Sequence, residues 1–387
     1  MTPLSLYIHW PFCLSKCPYC DFNSHVRARI EEEHFLNALI TEMNFWREKT
    51  GPRELQTIFF GGGTPSLMQS KTVAALLNAA QKNWSFTSDI EITLEANPTS
   101  SEAEKFQSFR DAGINRVSIG VQALNDEALK SLGRQHGAAE AIRVVEMAQK
   151  IFPRFSFDLI YARKNQTLGA WEAELKQALS LAKTHISLYQ LTLEPGTLFA
   201  KEAITKGTVF QADEDTSAAM YELTQAVCAD ANLSFYEVSN HAAAGEECRH
   251  NLAYWHYDDY VGIGPGAHGR PSFPPSLRPS KHATQNIKSP EAWLRQVQEK
   301  KHGYEVCEAL DADTTQREAF LMGLRLKTGL NKAAWKARFG TDLLAFVEAQ
   351  KIRRAAEEGL ITDTPSHLAA TSSGMLKLTA LTHYLLN

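Results

Sequence analysis

The chain has 387 residues, 44% of them hydrophobic and 22% charged, with a formal net charge of −4. That is globular composition with apolar material for one large core and a smaller one, and the acidic balance gives no support for a nucleic-acid partner. No stretch reaches about 18 uninterrupted apolar residues, and the N-terminal stretch lacks a basic region followed by an apolar run, so a cytoplasmic location is expected.

From the N-terminus to about Glu194, short β-type runs alternate with helical stretches. Strands are predicted at Leu4–His9, Thr57–Gly61, Ile90–Glu95, Arg116–Gln122, Phe155–Tyr161 and His185–Leu193, with helices such as Ile30–Lys49, Val73–Asn83 and Ala138–Ile151 between them. Such alternation implies parallel strands joined by helical crossovers, hence an α/β domain. In four strands one parity is apolar and the other largely polar. Leu4, Leu6 and Ile8 oppose Ser5, Tyr7 and His9; Ile90, Ile92 and Leu94 oppose Glu91, Thr93 and Glu95. Val117, Ile119 and Val121 oppose Ser118, Gly120 and Gln122, and Phe155, Phe157 and Leu159 oppose Ser156, Asp158 and Ile160. A flat doubly wound sheet buries both faces and reads as continuously apolar. The observed pattern suits a barrel or half-barrel with a polar interior, whose reactive groups gather at the C-terminal strand ends.

After Glu194 the pattern loosens. Segment 195–305 carries helical stretches, a candidate strand Ser234–Val238 and the glycine-rich run Gly262–Gly269; Arg270–Pro290, with five prolines, reads as a loop or linker. From about Leu310 the chain is helical (Gln316–Leu326, Lys332–Phe339, Leu343–Ala356), followed by a short β-like tail, Leu360–Leu378. The expected division is a barrel over 1–235, an extension and linker over 236–305, and a mostly helical, winged-helix-like domain over 306–387. A helical cap packed on the barrel is the plainer reading of that last segment.

Of six cysteines, Cys228, Cys248 and Cys307 are scattered, whereas Cys13, Cys17 and Cys20 fall together just after the first strand. Coincidence would produce this spacing on the order of once in a thousand. Zinc commonly takes four ligands in two separated pairs, and three thiolates in one short loop do not meet that need. They do suit three irons of a [4Fe-4S] cubane, leaving the fourth iron open to chelate another molecule.

The segment YIHWPFCLSKCPYCDF, with GGGTP (61–65), LEANP (94–98), RVSIGVQ (116–122), LGRQH (132–136), DLIY (158–161), HNLAYW (250–255) and GIGPGAHG (262–269), resembles the radical S-adenosylmethionine (SAM) superfamily. The likeness lies in its coproporphyrinogen III dehydrogenase-like branch and spans most of the chain. It implies a partial (β/α)6 barrel that binds a [4Fe-4S] cluster and SAM, the cluster on Cys13, Cys17 and Cys20. It further implies that Gly62, Gly63 and Thr64 approach the methionine end of SAM, and that Glu95, Gln122 and Asp158 contact the cofactor. Arg134 would pair with the cofactor carboxylate, Tyr7 would flank the cofactor, and Phe22 would pack by the cluster. Barrel-core structure is the alternative for any one of them, and a solvated surface charge the alternative for Arg134.

Within the branch, the oxygen-independent coproporphyrinogen oxidase type carries a fourth cysteine where this chain has Phe22, and an N-terminal extension for which the start at Leu4 leaves no room. His250-Asn251-x-x-Tyr254-Trp255 matches a motif of a haem chaperone group. That resemblance implies haem as cargo, with His250 as a candidate ligand and Cys248 as a competing one. It also implies haem-requiring client proteins, respiratory and membrane-bound ones among them, and an electron donor; a homodimer is left open. The rivals are a porphyrinogen oxidase and a radical enzyme with an unrelated substrate. One departure stands out: the family reads DLIYGLPxQT where this chain has DLIYARKNQT, which places two cations, Arg163 and Lys164, near the barrel mouth.

Overall fold

The computed structural model describes residues 3–27, 29–273 and 280–387. Six parallel strands lie side by side in chain order: β1 (Pro3–Trp10), β2 (Glu54–Gly62), β3 (Ser85–Ala96), β4 (Arg116–Gln122), β5 (Arg154–Tyr161) and β6 (His185–Gln190). The main crossover helices are α1 (Glu32–Thr50), α2 (Ser70–Asn83), α3 (Phe106–Ala112), α4 (Ala138–Ile151) and α5 (Leu168–Leu181). Each covers the outer face because its apolar residues recur at helical spacing. In α4, Ala141, Val144, Val145 and Ala148 form that stripe and are all buried. The outward parity of the strands, from Leu4, Leu6 and Ile8 to Phe155, Phe157 and Leu159, is sealed beneath it in the main core.

The expected partial barrel is present and is longer than the six predicted strands. β7 (Ser234–Glu237) and β8 (Asn240–Ala242) extend it antiparallel beyond β6, and β9 (Tyr260–Ile263) joins it parallel to β1. The inner parity is polar and knitted together. Register sets Ser5 beside Thr57 and Thr57 beside Glu91, then Glu95 beside Ser118 and Ser118 beside Ser156. Thr57 donates to Ser5 at 2.9 Å, Arg116 to Ser156 at 2.8 Å, and Arg154 to Glu91 at 2.5 Å. Buried polar groups of this kind persist only when paired.

Two expectations need correction. Arg270–Pro290 is not simply a linker: Ser280–Asn286 is a strand paired with Tyr304–Ala309, His268–Gly269 and Ser272–Phe273, while 274–279 lies outside the described residues. The strand itself holds no proline, and its polar sequence SKHATQN lacks the apolar alternation that would have marked it. The tail is also mixed: strands Ile361–Asp363 and His367–Ala370 pair, but the chain then turns helical over Ser372–Leu376 and Leu378–Leu386. These elements, with the helices from Ala312, enclose a second core around Phe320, Leu324, Trp335, Leu343 and Leu368. Ion pairs Arg270–Glu318 and Arg338–Asp258 tie that C-terminal unit to the barrel side.

Candidate functional site

The cysteine loop leaves β1 after Trp10 and is anchored by backbone. Gly63 N–H donates to Trp10 O at 2.7 Å and Thr64 N–H to Phe12 O at 2.8 Å. A Cβ at Gly63 would stand 2.6 Å from Phe12 O, so only glycine permits this approach of the β2 end. Cys13, Cys17 and Cys20 carry no disulfide. Thr64 Oγ1 donates to Cys13 Sγ at 3.4 Å and Arg134 Nη1 to Cys17 Sγ at 3.3 Å. Burial pushes the Cys13 and Cys20 thiols up.

The three cysteines open onto a cleft of about 180 Å³ at the C-terminal strand ends, lined also by Phe22, Gly62, Gly63, Thr64, Glu95, Gln122, Arg134 and Asp158. Eight of the nine side chains or glycines expected to face SAM therefore meet here; Tyr7 stands outside this lining. Gln122 holds a left-handed φ of 73° at the end of β4, the kind of local strain found where a side chain is aimed at a ligand. Arg134 Nη2 donates to Asn97 Oδ1 at 2.7 Å and to Gly120 O at 2.8 Å, and Asn97 donates to Thr64 at 3.1 Å. Asn97 lies inside the LEANP motif, so its position was signalled although its role was not singled out.

Glu95 and Asp158 are the carboxyl floor of this cleft. Burial, and then the neighbouring Asp158 carboxylate, pushes Glu95 up to about 8; burial pushes Asp158 up to about 6. Glu95 accepts from Gly62 N–H at 3.2 Å, and Asp158 has Ser118 at 3.5 Å. Because the folded chain holds these protons more tightly than the unfolded one, stability is greatest at the acid end of the window and is lost as pH rises through the folded values. The thermal midpoint of the cofactor-free chain is expected to fall between about pH 5 and about 8. Glu95→Gln should reduce the upper part of that fall; a profile unchanged by the substitution would contradict the assignment.

The residues fit the two groups the fold calls for. Among the described residues no set of three His, Cys, Asp or Glu side chains is arranged to hold a single metal ion. A cubane, which takes one thiolate per iron, makes no such demand. Arg134 Nε is buried without a partner, and the Gly62–Thr64 cradle leaves backbone exposed to the cleft beside two carboxyls able to accept from a cationic or hydroxylated ligand.

A second cleft, of about 670 Å³, adjoins the first and shares Lys16, Phe22, Ser24, Gly62 and Glu95 with it. Tyr7, Tyr254, Trp255, Tyr257 and Tyr260 give it aromatic walls, and His9, His25 and His268 line it. Phe22, 57% exposed, stands between the two clefts. The structure puts His250 elsewhere. It sits on α6 (Arg249–Trp255), which plugs the barrel interior, and is 1% exposed. Its Nδ1 bonds Thr57 Oγ1 at 2.7 Å and its Nε2 bonds Tyr254 OH at 2.8 Å, so in this arrangement neither ring nitrogen is free for a metal. Cys248 is equally buried, its thiol 3.6 Å from Glu91.

The departure at 162–165 does not add two free cations to the mouth. Arg163 is buried in an ion pair with Glu174 of α5, and only Lys164 remains exposed. Ala162 stands where the family has glycine and adopts a left-handed φ of 57°. Ala162→Gly is accordingly expected to stabilise the chain by about 0.5–1 kcal/mol, read by urea unfolding, even though glycine is usually destabilising.

The chain matches the radical SAM superfamily over residues 7–178 and the HemN C-terminal domain over residues 310–376. It is 35% identical to the heme chaperone HemW of Escherichia coli over 98% of this chain and 97% of that one. It is 44% identical to that of Haemophilus influenzae over 71% and 72%. A mouse relative, radical S-adenosyl methionine domain-containing protein 1, mitochondrial, is 37% identical over 98% and 86%. The chain therefore belongs to the radical SAM superfamily and, within it, to the HemW family. Its fold is shared with E. coli coproporphyrinogen III oxidase (HemN), at a TM-score of 0.82 and 22% identity over 99% of this chain and 90% of that one. Family membership implies a [4Fe-4S] cluster and SAM. No helix among the described residues is long and apolar enough to cross a membrane.

Proposed function

We propose that this chain is a haem chaperone: it holds a [4Fe-4S] cluster on Cys13, Cys17 and Cys20, binds SAM across the strand ends, and carries haem to haem-requiring proteins. The observation that carries this reading is the pair of confluent clefts. One is small, acidic and thiol-lined; the other is larger, aromatic-walled and open, and Gly62, Glu95 and Phe22 border both. A flat aromatic cargo needs ring faces and room, which the second cleft offers. The names of the bacterial relatives support the same reading.

In the first cleft, Gly62, Gly63 and Thr64 offer backbone to the methionine end of SAM, Glu95 and Asp158 accept from its cationic or hydroxyl groups, and Arg134 faces its carboxylate. Gln122 aligns it and Phe22 closes its flank, while Tyr7 stands in the adjoining cleft, beyond the shared Gly62 and Glu95. When bound, the cluster supplies an open iron and an electron for SAM chemistry. Phe22, where the oxidase type has cysteine, favours haem delivery over porphyrinogen oxidation. The clients we expect are respiratory, membrane-bound haem proteins served from the cytoplasm, with a separate electron donor and with homodimer formation left to measurement. The deciding experiment is anaerobic cluster reconstitution followed by parallel assays of haem binding, haem transfer and coproporphyrinogen turnover. Binding with transfer and no turnover is expected; robust porphyrinogen decarboxylation would overturn the proposal.

A further inference from the structure

The second cleft holds three histidines, and hydrogen bonding separates them. His9 is spent on both sides, Nδ1 to Tyr7 OH at 3.0 Å and Nε2 to Asn23 O at 2.9 Å. His25 Nε2 is bound to Asn23 Oδ1 at 3.1 Å, and its ring also meets the Lys288 backbone. His268 alone is exposed and has no hydrogen bond or ion pair to its ring among the described residues. Its backbone, by contrast, is held fast. His268 pairs with Gln285 of the Ser280–Asn286 strand, and the loop before it turns through Gly264 and Gly266 at φ of 95° and 78°. Asn23, which occupies His9 and His25, also donates to Pro265 O and Lys288 O at 2.9 Å each, clamping that same loop. The result is an imidazole of free valence on a fixed strand, facing an aromatic-walled cavity.

Resting on the chaperone reading, we propose that His268 ligates the iron of the haem cargo in this cleft, with Lys16 and Lys288 receiving its propionates. Both lysines line the cleft and are exposed, with no ion pair among the described residues. Arg270 is unavailable, being held by Glu318 at 2.7 and 2.9 Å. The other ligating side chains of the cleft are weaker candidates. Tyr254 OH is bound to His250 and Tyr257 OH to Glu318 at 2.7 Å; burial holds the Tyr260 phenol protonated, and Met322 offers only a thioether. Partial desolvation in the cleft, with Arg270 and Lys288 nearby, lowers the His268 pKa, which favours the neutral ring whose lone pair can bind iron.

The test is a haemin titration of the full chain and its variants, read by affinity and by resonance Raman or electron paramagnetic resonance of the haem iron. His268→Ala is expected to weaken binding by roughly tenfold or more and to lose the imidazole signature, and added free imidazole should restore that signature. His250→Ala should keep it. Lys16→Gln with Lys288→Gln should abolish the preference for haemin over its dimethyl ester. If wild type binds haemin while His268→Ala keeps the same affinity and spectrum, or loses binding that imidazole does not restore, His268 is not the ligand and the chaperone reading stands. If wild type binds no haemin at all, that reading fails and this site with it.

Discussion

A Cys17→Ala chain supplied anaerobically with iron and sulfide is expected to assemble almost no cluster. A site-differentiated cubane keeps three thiolates, and removing one leaves two irons uncovered instead of one. Cys17 is also the thiol that Arg134 approaches, at 3.3 Å, so the substitution strips a charge-assisted contact from the loop. Iron and acid-labile sulfide per chain should fall several-fold, together with the thiolate-to-iron charge-transfer absorbance. Cys307→Ala, on the strand Tyr304–Ala309, should assemble as much cluster as wild type. Equal iron in the Cys17→Ala and Cys307→Ala chains would remove the cysteine loop from the site.

The largest loss of stability is expected at Glu42. This residue lies in the apolar stripe of α1, between Leu39 and Trp46, and is 0% exposed. Its carboxyl is a hub for four donors from distant segments. Gly264 N–H reaches it at 2.8 Å, Gly303 N–H at 2.6 Å, Asn286 Nδ2 at 3.0 Å and Trp293 Nε1 at 3.1 Å. Burial pushes its pKa up to about 7. Glu42→Ala strands these donors away from water, and a loss of about 3–5 kcal/mol in urea unfolding is expected. Glu42→Gln keeps one accepting oxygen and should cost less. Because Gly264 begins the loop that bears His268, the alanine variant should also weaken haem binding. A loss below about 1 kcal/mol would show the hub to be dispensable.

Glu42 marks a limit of what sequence reveals. A glutamate on a helix reads as solvated, and its donors lie more than two hundred residues away in the chain. The same limit applies to β9, a four-residue strand whose place beside β1 is set by nonlocal pairing. His250 shows the other side of it. The HNLAYW motif was visible, but whether its imidazole faces a cavity or plugs the barrel depends on where α6 packs, and it packs onto Thr57 of β2.

Local pattern determined much by itself. The spacing of Cys13, Cys17 and Cys20 follows from the covalent chain. The inward parity of Glu95, Gln122 and Asp158 follows from the two-residue period of a strand, which places alternate side chains on opposite faces whatever the neighbours do. Together these were enough to place the cysteine loop and the acidic residues at one cleft. Only the tertiary structure decided which polar groups are spent on one another and which remain free. It consumed His9, His25 and His250 in hydrogen bonds, neutralised Arg163 with Glu174, and left His268, Lys16 and Lys288 facing a shared cavity. Hydrogen-bond partners are chosen by proximity in space, and proximity between residues 9, 23 and 268 exists only once the sheet has closed.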